Sequence, residues 1–216
     1  VSTEPAPSLS RTLLVGAPRP LLSRRAEEAL GLRHRSVLDG LEGLLRSGEL
    51  TGLTIGEIAS RLECSRRTLY ELAPSKDHLI LIVFDRLMHR IGTTALGAVD
   101  AAAPAAVQLR QYATASLVYV LESTATESMS GLPGLRRVLD SHQRFAATVI
   151  ERIVARGIDS GEFRPVDAAV AAAVILASAV HLSRPEVLDD LGVSLGDAVV
   201  QMLDLTMAGL VRRPHD

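Results

Sequence analysis

From residue 33 onward the apolar positions of this chain recur at helical spacing. Val37, Leu38, Leu41, Leu44 and Leu45 fall at i, i+1, i+4, i+7 and i+8, one face of a helix that Gly48 stops. Gly40 and Gly43 lie inside it, each costing ~0.8–1 kcal/mol against Ala, which close helix packing would justify. Thr54 and Glu57 then have capping-box spacing, and Leu53 and Ile58 stand where a hydrophobic staple would place them. These signals predict a short helix through Leu62. Ser65 caps a third, from Arg66 to about Leu72, and Ser75 opens a long amphipathic helix through about Ile91. Further helices are expected at roughly 104–123, 134–156, 167–182 and 194–211, punctuated by Gly157, Pro165, Pro185 and Gly192. No stretch alternates with period two, and no repeat of 20–50 residues occurs. The expected fold is all-α.

Composition supports this. Of 216 residues, 47% are hydrophobic but only 3% aromatic, with no Trp, and Ala and Leu abound, a mixture suited to helices more than to sheets. One cysteine, Cys64, excludes an intramolecular disulfide framework and any multi-cysteine metal site; it reads as an inert packed thiol, with a redox switch as the alternative. The first twenty residues hold Pro5, Pro7, Pro18 and Pro20 and suggest an irregular extension, with a short helical lead-in from Arg24 to Leu30. The longest apolar run, Ala168 to Val180, is shorter than a bilayer requires, and nothing resembles a signal-peptide core, so a cytoplasmic protein without a membrane partner is expected.

Net charge is −2, but residues 1–92 hold 13 basic and 11 acidic side chains, so the positive charge lies toward the N-terminal half. There the two short helices joined by Glu63-Cys64-Ser65, after a supporting helix, have helix-turn-helix spacing. In that arrangement the second helix enters a DNA major groove, where Arg66 and Arg67 have the donors to bond guanine bidentately. Thr54 and Ser65 place hydroxyls and helix N-termini where phosphates would sit. Lys76 at a helix start opposes the helix dipole, which a phosphate contact would explain. Arg66 and Arg67 could instead be solvated surface charge, and Tyr70 could pack on the supporting helix as readily as touch phosphate.

The run Leu53-Thr54-Ile55-Gly56-Glu57-Ile58-Ala59, then Cys64-Ser65-Arg66-Arg67-Thr68-Leu69-Tyr70, then Pro74-Ser75-Lys76-Asp77-His78-Leu79, resembles the DNA-binding domain of the TetR family. Gly161-Glu162-Phe163-Arg164-Pro165-Val166-Asp167 is similar to the loop many members carry before their last two helices. The resemblance covers about residues 33–211. It implies a ligand-responsive, homodimeric transcriptional regulator, a repressor released from double-stranded DNA by a small-molecule effector. Its expected divisions are an extension (1–32), a helix-turn-helix domain (33–80) and a ligand-binding and dimerisation domain (81–216). DNA contacts are expected from Thr54, Ser65, Arg66, Arg67, Thr68, Tyr70 and Lys76, with no cofactor. The last two helices would form the dimer interface, with Leu203 in it. Where the family often has His and an aromatic pair after the tyrosine, this chain has Glu71, Leu72 and Ala73. An acid there would oppose phosphate, and the missing aromatic hydroxyl would remove a phosphate donor, so a second reading is a regulator-like protein that has lost specific DNA binding and serves as a ligand-binding or interaction module.

Tyr112, Ser116 and Tyr119, at i, i+4 and i+7, are with Phe145 the candidates for an effector pocket, or else ordinary core. No pair of histidines has metal-ligand spacing. Gly192-Val193-Ser194-Leu195-Gly196 matches a hydrolase nucleophile pattern, but that pattern needs a preceding strand; Ser194 with Asp197 reads better as a helix cap, and no catalytic set is expected.

Overall fold

The structure, a computed structural model, describes residues 16–122 and 129–212, with side chains for all of these except 117–122. Among the described residues there are ten helices: α1 (Arg24–Ala29), α2 (Leu32–Arg46), α3 (Ile55–Arg61), α4 (Arg66–Leu72), α5 (Lys76–Gly97), α6 (Ala105–Glu122), α7 (Leu135–Asp159), α8 (Ala168–Leu182), α9 (Pro185–Leu191) and α10 (Leu195–Leu210). The class is all-α, as expected. Most ends fall within a few residues of the sequence pattern. α5 is the exception and runs past Ile91, because Gly92 meets open space and interrupts nothing while Ala95 and Leu96 extend the buried face. Among the described residues, no single helix is long and apolar enough to cross a membrane.

Two compact units divide the chain inside α5, after Arg90. One contains Pro18–Arg90 and the described part of Glu122–Ser141. Val37, Leu38, Leu41 and Leu45 of α2, Ile58 of α3, Leu69 of α4 and Leu79, Val83 and Phe84 of α5 are buried there. Gly40 earns its place in α2: a Cβ added to it would stand 2.7 Å from Leu62 Cδ2. Gly43 does not, since nothing lies within 4 Å of such an atom, and the packing expected of it is absent. The buried carboxylate of Glu42 gathers arginines from two helices: Arg46 at 3.2 Å, Arg86 at 3.2 Å, and Arg90. Arg86 also reaches Asp39 at 2.9 Å and Glu27 at 2.6 Å, and the Leu21 N–H donates to Asp85 at 2.7 Å. These bonds hold the segment before α2 to α5, with Ser23 capping α1.

The second unit contains Ile91–Leu121 and the described parts of Val1–Ala17 and His142–Asp216. Its core joins Leu109 and Tyr112 of α6, Phe145, Val149 and Ile153 of α7, Ile175 of α8 and Val199 and Leu203 of α10. The Gly161–Arg164 loop ties these helices together. Gly161 takes a left-handed φ of 75°, which glycine adopts without strain. The Glu162 carboxylate then caps α6, accepting the N–H groups of Ala105 (2.6 Å) and Ala106 (2.9 Å). Phe163 is buried and makes an isolated antiparallel bridge with Val211, while the Arg164 N–H donates to Leu210 O at 2.9 Å. The Ser194 hydroxyl accepts the Asp197 N–H at 3.1 Å and donates to its carboxylate at 2.7 Å, capping α10 after a helix, α9, and not after a strand.

Candidate nucleic-acid interface

The turn between α3 and α4 is a complete Schellman motif. The Cys64 N–H donates to Ala59 O at 2.9 Å and the Glu63 N–H to Ser60 O at 3.3 Å, which places Glu63 in the left-handed region at φ 49°. Both helices have side-chain caps. Thr54 Oγ1 accepts the Glu57 N–H at 3.3 Å, and the Glu57 carboxylate takes the Thr54 N–H and hydroxyl, each at 2.7 Å; these bonds hold its carboxyl below the ordinary glutamate range. Ser65 Oγ accepts the Thr68 N–H at 3.1 Å.

Capping fixes the rotation of α4 and decides which side chains it presents. Thr68, Leu69 and Leu72 are buried; Arg66, Arg67, Tyr70 and Glu71 are exposed, Tyr70 by 53%. The sequence-expected contacts therefore divide. Arg66, Arg67 and Tyr70 share the open face with Ser65 at its edge, whereas Thr68 is buried with its hydroxyl 2.9 Å from Ser65 Oγ. Leu72 also belongs to the core, so an aromatic ring in its place would not face solvent.

The basic side chains are not equally free. Arg66 folds back over α3, and a Cβ added to Gly56 would lie 2.7 Å from its Nη2 and 3.3 Å from its Cζ. Arg67, with a side chain 88% exposed, donates through Nε to Glu71 Oε1 at 3.0 Å. The other oxygen of Glu71 lies 3.0 Å from Nε2 of His34 on α2, and against a carboxylate that nitrogen must be the donor. Arg67 first, and His34 second, hold the Glu71 carboxyl below the ordinary glutamate range. The acid expected to repel phosphate is thus paired, and in turn it neutralises Arg67. Lys76 donates from Nζ to Thr51 O at 2.6 Å, joining the start of α5 to the loop before α3. Cys64 is half-buried, and desolvation raises its thiol pKa, partly offset by Arg33. His34 escaped sequence reasoning because its partner is 37 residues away; only the helix crossing brings them together.

Among the effector candidates, Tyr112 and Phe145 lie buried in the core of the second unit, Ser116 is half-buried, and the side chain of Tyr119 lies outside the described residues. An open groove of about 470 Å³ runs along another side of α6, lined by Ala106, Val107, Arg110 and Gln111 with Ala98 and Met207. Arg110 on it pairs with Asp204 at 2.8 Å.

Residues 134–203 match the model of the tetracyclin repressor-like C-terminal domain. Among curated proteins, none matches the chain. Similar solved structures include NemR of E. coli in its reduced form, at 13% identity and a TM-score of 0.70, covering 84% of this chain and 98% of that one. A protein from Saccharomonospora viridis described as a transcriptional regulator, in complex with choline, is 21% identical with a TM-score of 0.71, over 83% of this chain and 98% of that one. SmeT, the repressor of the Stenotrophomonas maltophilia multidrug efflux pump SmeDEF, is 16% identical with a TM-score of 0.65, over 84% and 91%. Its C-terminal part thus carries a tetracyclin repressor-like domain, and the chain shares the all-α fold of these structures.

Proposed function

We propose that this protein is a homodimeric repressor that binds a palindromic operator through α4 and is released by a small-molecule effector. The observation that carries the reading is the open face of α4, where Arg66, Arg67 and Tyr70 stand together on a helix capped at its start. Two donor-rich guanidiniums and a phenol on one narrow helix suit base edges and phosphates. Dimerisation is supported by apolar side chains left uncovered on α8 and α10. Val170 and Val174 on α8 and Val200 and Leu205 on α10 are exposed, Leu205 by 77%, which a second copy packed as a four-helix bundle would bury. Leu203, expected at that interface, points instead into its own unit's core. Effector binding in the second unit is supported by analogy with SmeT, also solved in complex with triclosan, and with the choline-bound S. viridis protein. The reading in which DNA binding is lost rests on Glu71 and Leu72; the Glu71 carboxylate is paired to Arg67 and His34, and Leu72 is packed in the core, so neither favours it.

Selection from a random double-stranded DNA library tests the proposal. The expected product is a palindrome with half-sites one helical turn, about 34 Å, or a multiple of it apart, and with affinity that falls steeply with salt. A selection that returns nothing better than bulk DNA overturns it.

A further inference from the structure

Glu71 uses each carboxylate oxygen for a different helix: Oε1 for Arg67, one turn earlier on α4, and Oε2 for His34 on α2, both at 3.0 Å. As an exposed ion pair this contributes little to stability. Its consequence is geometric. With Nε committed to Glu71, the guanidinium of Arg67 is confined to few orientations, and its two Nη groups remain as a pair of parallel donors. Guanine presents the matching acceptors, O6 and N7, side by side in the major groove. Arg66 lacks this arrangement, because its guanidinium rests on the Gly56 backbone.

Resting on the DNA-binding reading above, we propose that Glu71 is a specificity-determining positioning residue. Braced by His34, it aims Arg67 as the guanine-reading arginine of each half-site, while Arg66 packs on α3 and contributes charge alone. The carboxylate also subtracts positive charge from the reading face, so it lowers affinity for phosphate at every sequence. Glu71 therefore exchanges general affinity for discrimination.

The test measures binding of full-length wild type, Glu71→Ala, Glu71→Gln, Arg67→Ala, Arg66→Ala and the double variant Glu71→Ala/Arg67→Ala. Each meets the selected operator, every single-base variant of one half-site, and an unrelated duplex. Far-ultraviolet circular dichroism checks that each variant is folded, as expected for exposed positions. Glu71→Ala should lose preference for guanine at one base pair per half-site by about tenfold or more, while binding the unrelated duplex more tightly at low salt. Arg67→Ala should lose preference at the same base pair, and the double variant should lose no more than Arg67→Ala does alone. Glu71→Gln, which can still accept from Nε, should keep most of the preference. Arg66→Ala should weaken all sequences alike. Retention of the guanine preference by Glu71→Ala, or its loss in Arg66→Ala and not in Arg67→Ala, overturns the proposal while leaving the protein a DNA reader. A wild type without any sequence preference overturns both readings.

Discussion

The ring of Phe163 lies directly on the backbone of Gly157. A Cβ added to that glycine would fall 2.3 Å from Phe163 Cδ2 and 2.5 Å from Cε2, closer than any two carbons can pack. A glycine inside α7 thus lets the loop before α8 seat its aromatic anchor in the core, where Phe163 is only 1% exposed.

Gly157→Ala should therefore destabilise the protein by about 1–3 kcal/mol, since the buried ring must shift to admit the methyl. Gly43→Ala is the control: it lies in a helix interior with nothing within 4 Å of the new methyl, and should stabilise by about 0.5–1 kcal/mol. Urea unfolding of the two variants beside wild type reads both signs. A destabilised Gly43→Ala would mean that the open space around that position is not real.

Glu63 holds a left-handed φ of 49° at the centre of the helix-turn-helix, a conformation that costs a residue with a Cβ roughly 1–2 kcal/mol. Glu63→Gly removes that strain but loosens the unfolded chain, and the net gain should be up to about 1 kcal/mol. Glu63→Ala keeps the strain and should show no such gain. Melting temperatures of the pair separate conformational relief from loss of the charge.

Leu203 and Leu205 are two residues apart on α10 and face opposite ways, at 0% and 77% exposed. Leu203→Arg should abolish folding, because an unpaired charge in the core costs as much as the ~5–15 kcal/mol that holds a small domain together. Leu205→Arg should leave helicity intact and change the mass measured by light scattering from dimer to monomer. A dimer that persists in Leu205→Arg would place the subunit interface on another face.

The acidic caps and pairs carry a pH signature. Glu57 and Glu71 are held below the ordinary glutamate range when folded, Glu57 by Thr54 and Glu71 by Arg67 and His34. A folded carboxyl that is harder to protonate stabilises the protein above the unfolded value of about 4.3, and the contribution disappears as pH falls through the folded value. Glu57→Gln should thus melt below wild type near neutrality, with the gap closing as the pH drops below about 4. A gap that stays constant into acid would remove the capping carboxylate from the account.

What was legible in the sequence was local. Capping residues such as Thr54, Ser65 and Ser194 act within three or four positions of themselves, and the apolar period of each helix is written into its own turn, so the helices and the helix-turn-helix could be placed without any neighbour. The acid at position 71 was visible as well, but only as a charge. Its effect depends on Arg67, one turn away, and on His34, brought to it by the crossing of α2 and α4, so repulsion became pairing only once the helices packed. Leu203 and Leu205 show the same division on α10: the sequence marks both as apolar, and nothing in a helical period says which side meets its own core and which stays open. Glycines are the clearest case. Gly40 and Gly43 read alike along the chain and Gly157 reads as a helix stop, yet contacts with Leu62 and Phe163 make Gly40 and Gly157 necessary inside their helices, and nothing so requires Gly43. A propensity belongs to a residue, whereas a steric or electrostatic requirement belongs to a pair, and distant pairs are made by the tertiary fold.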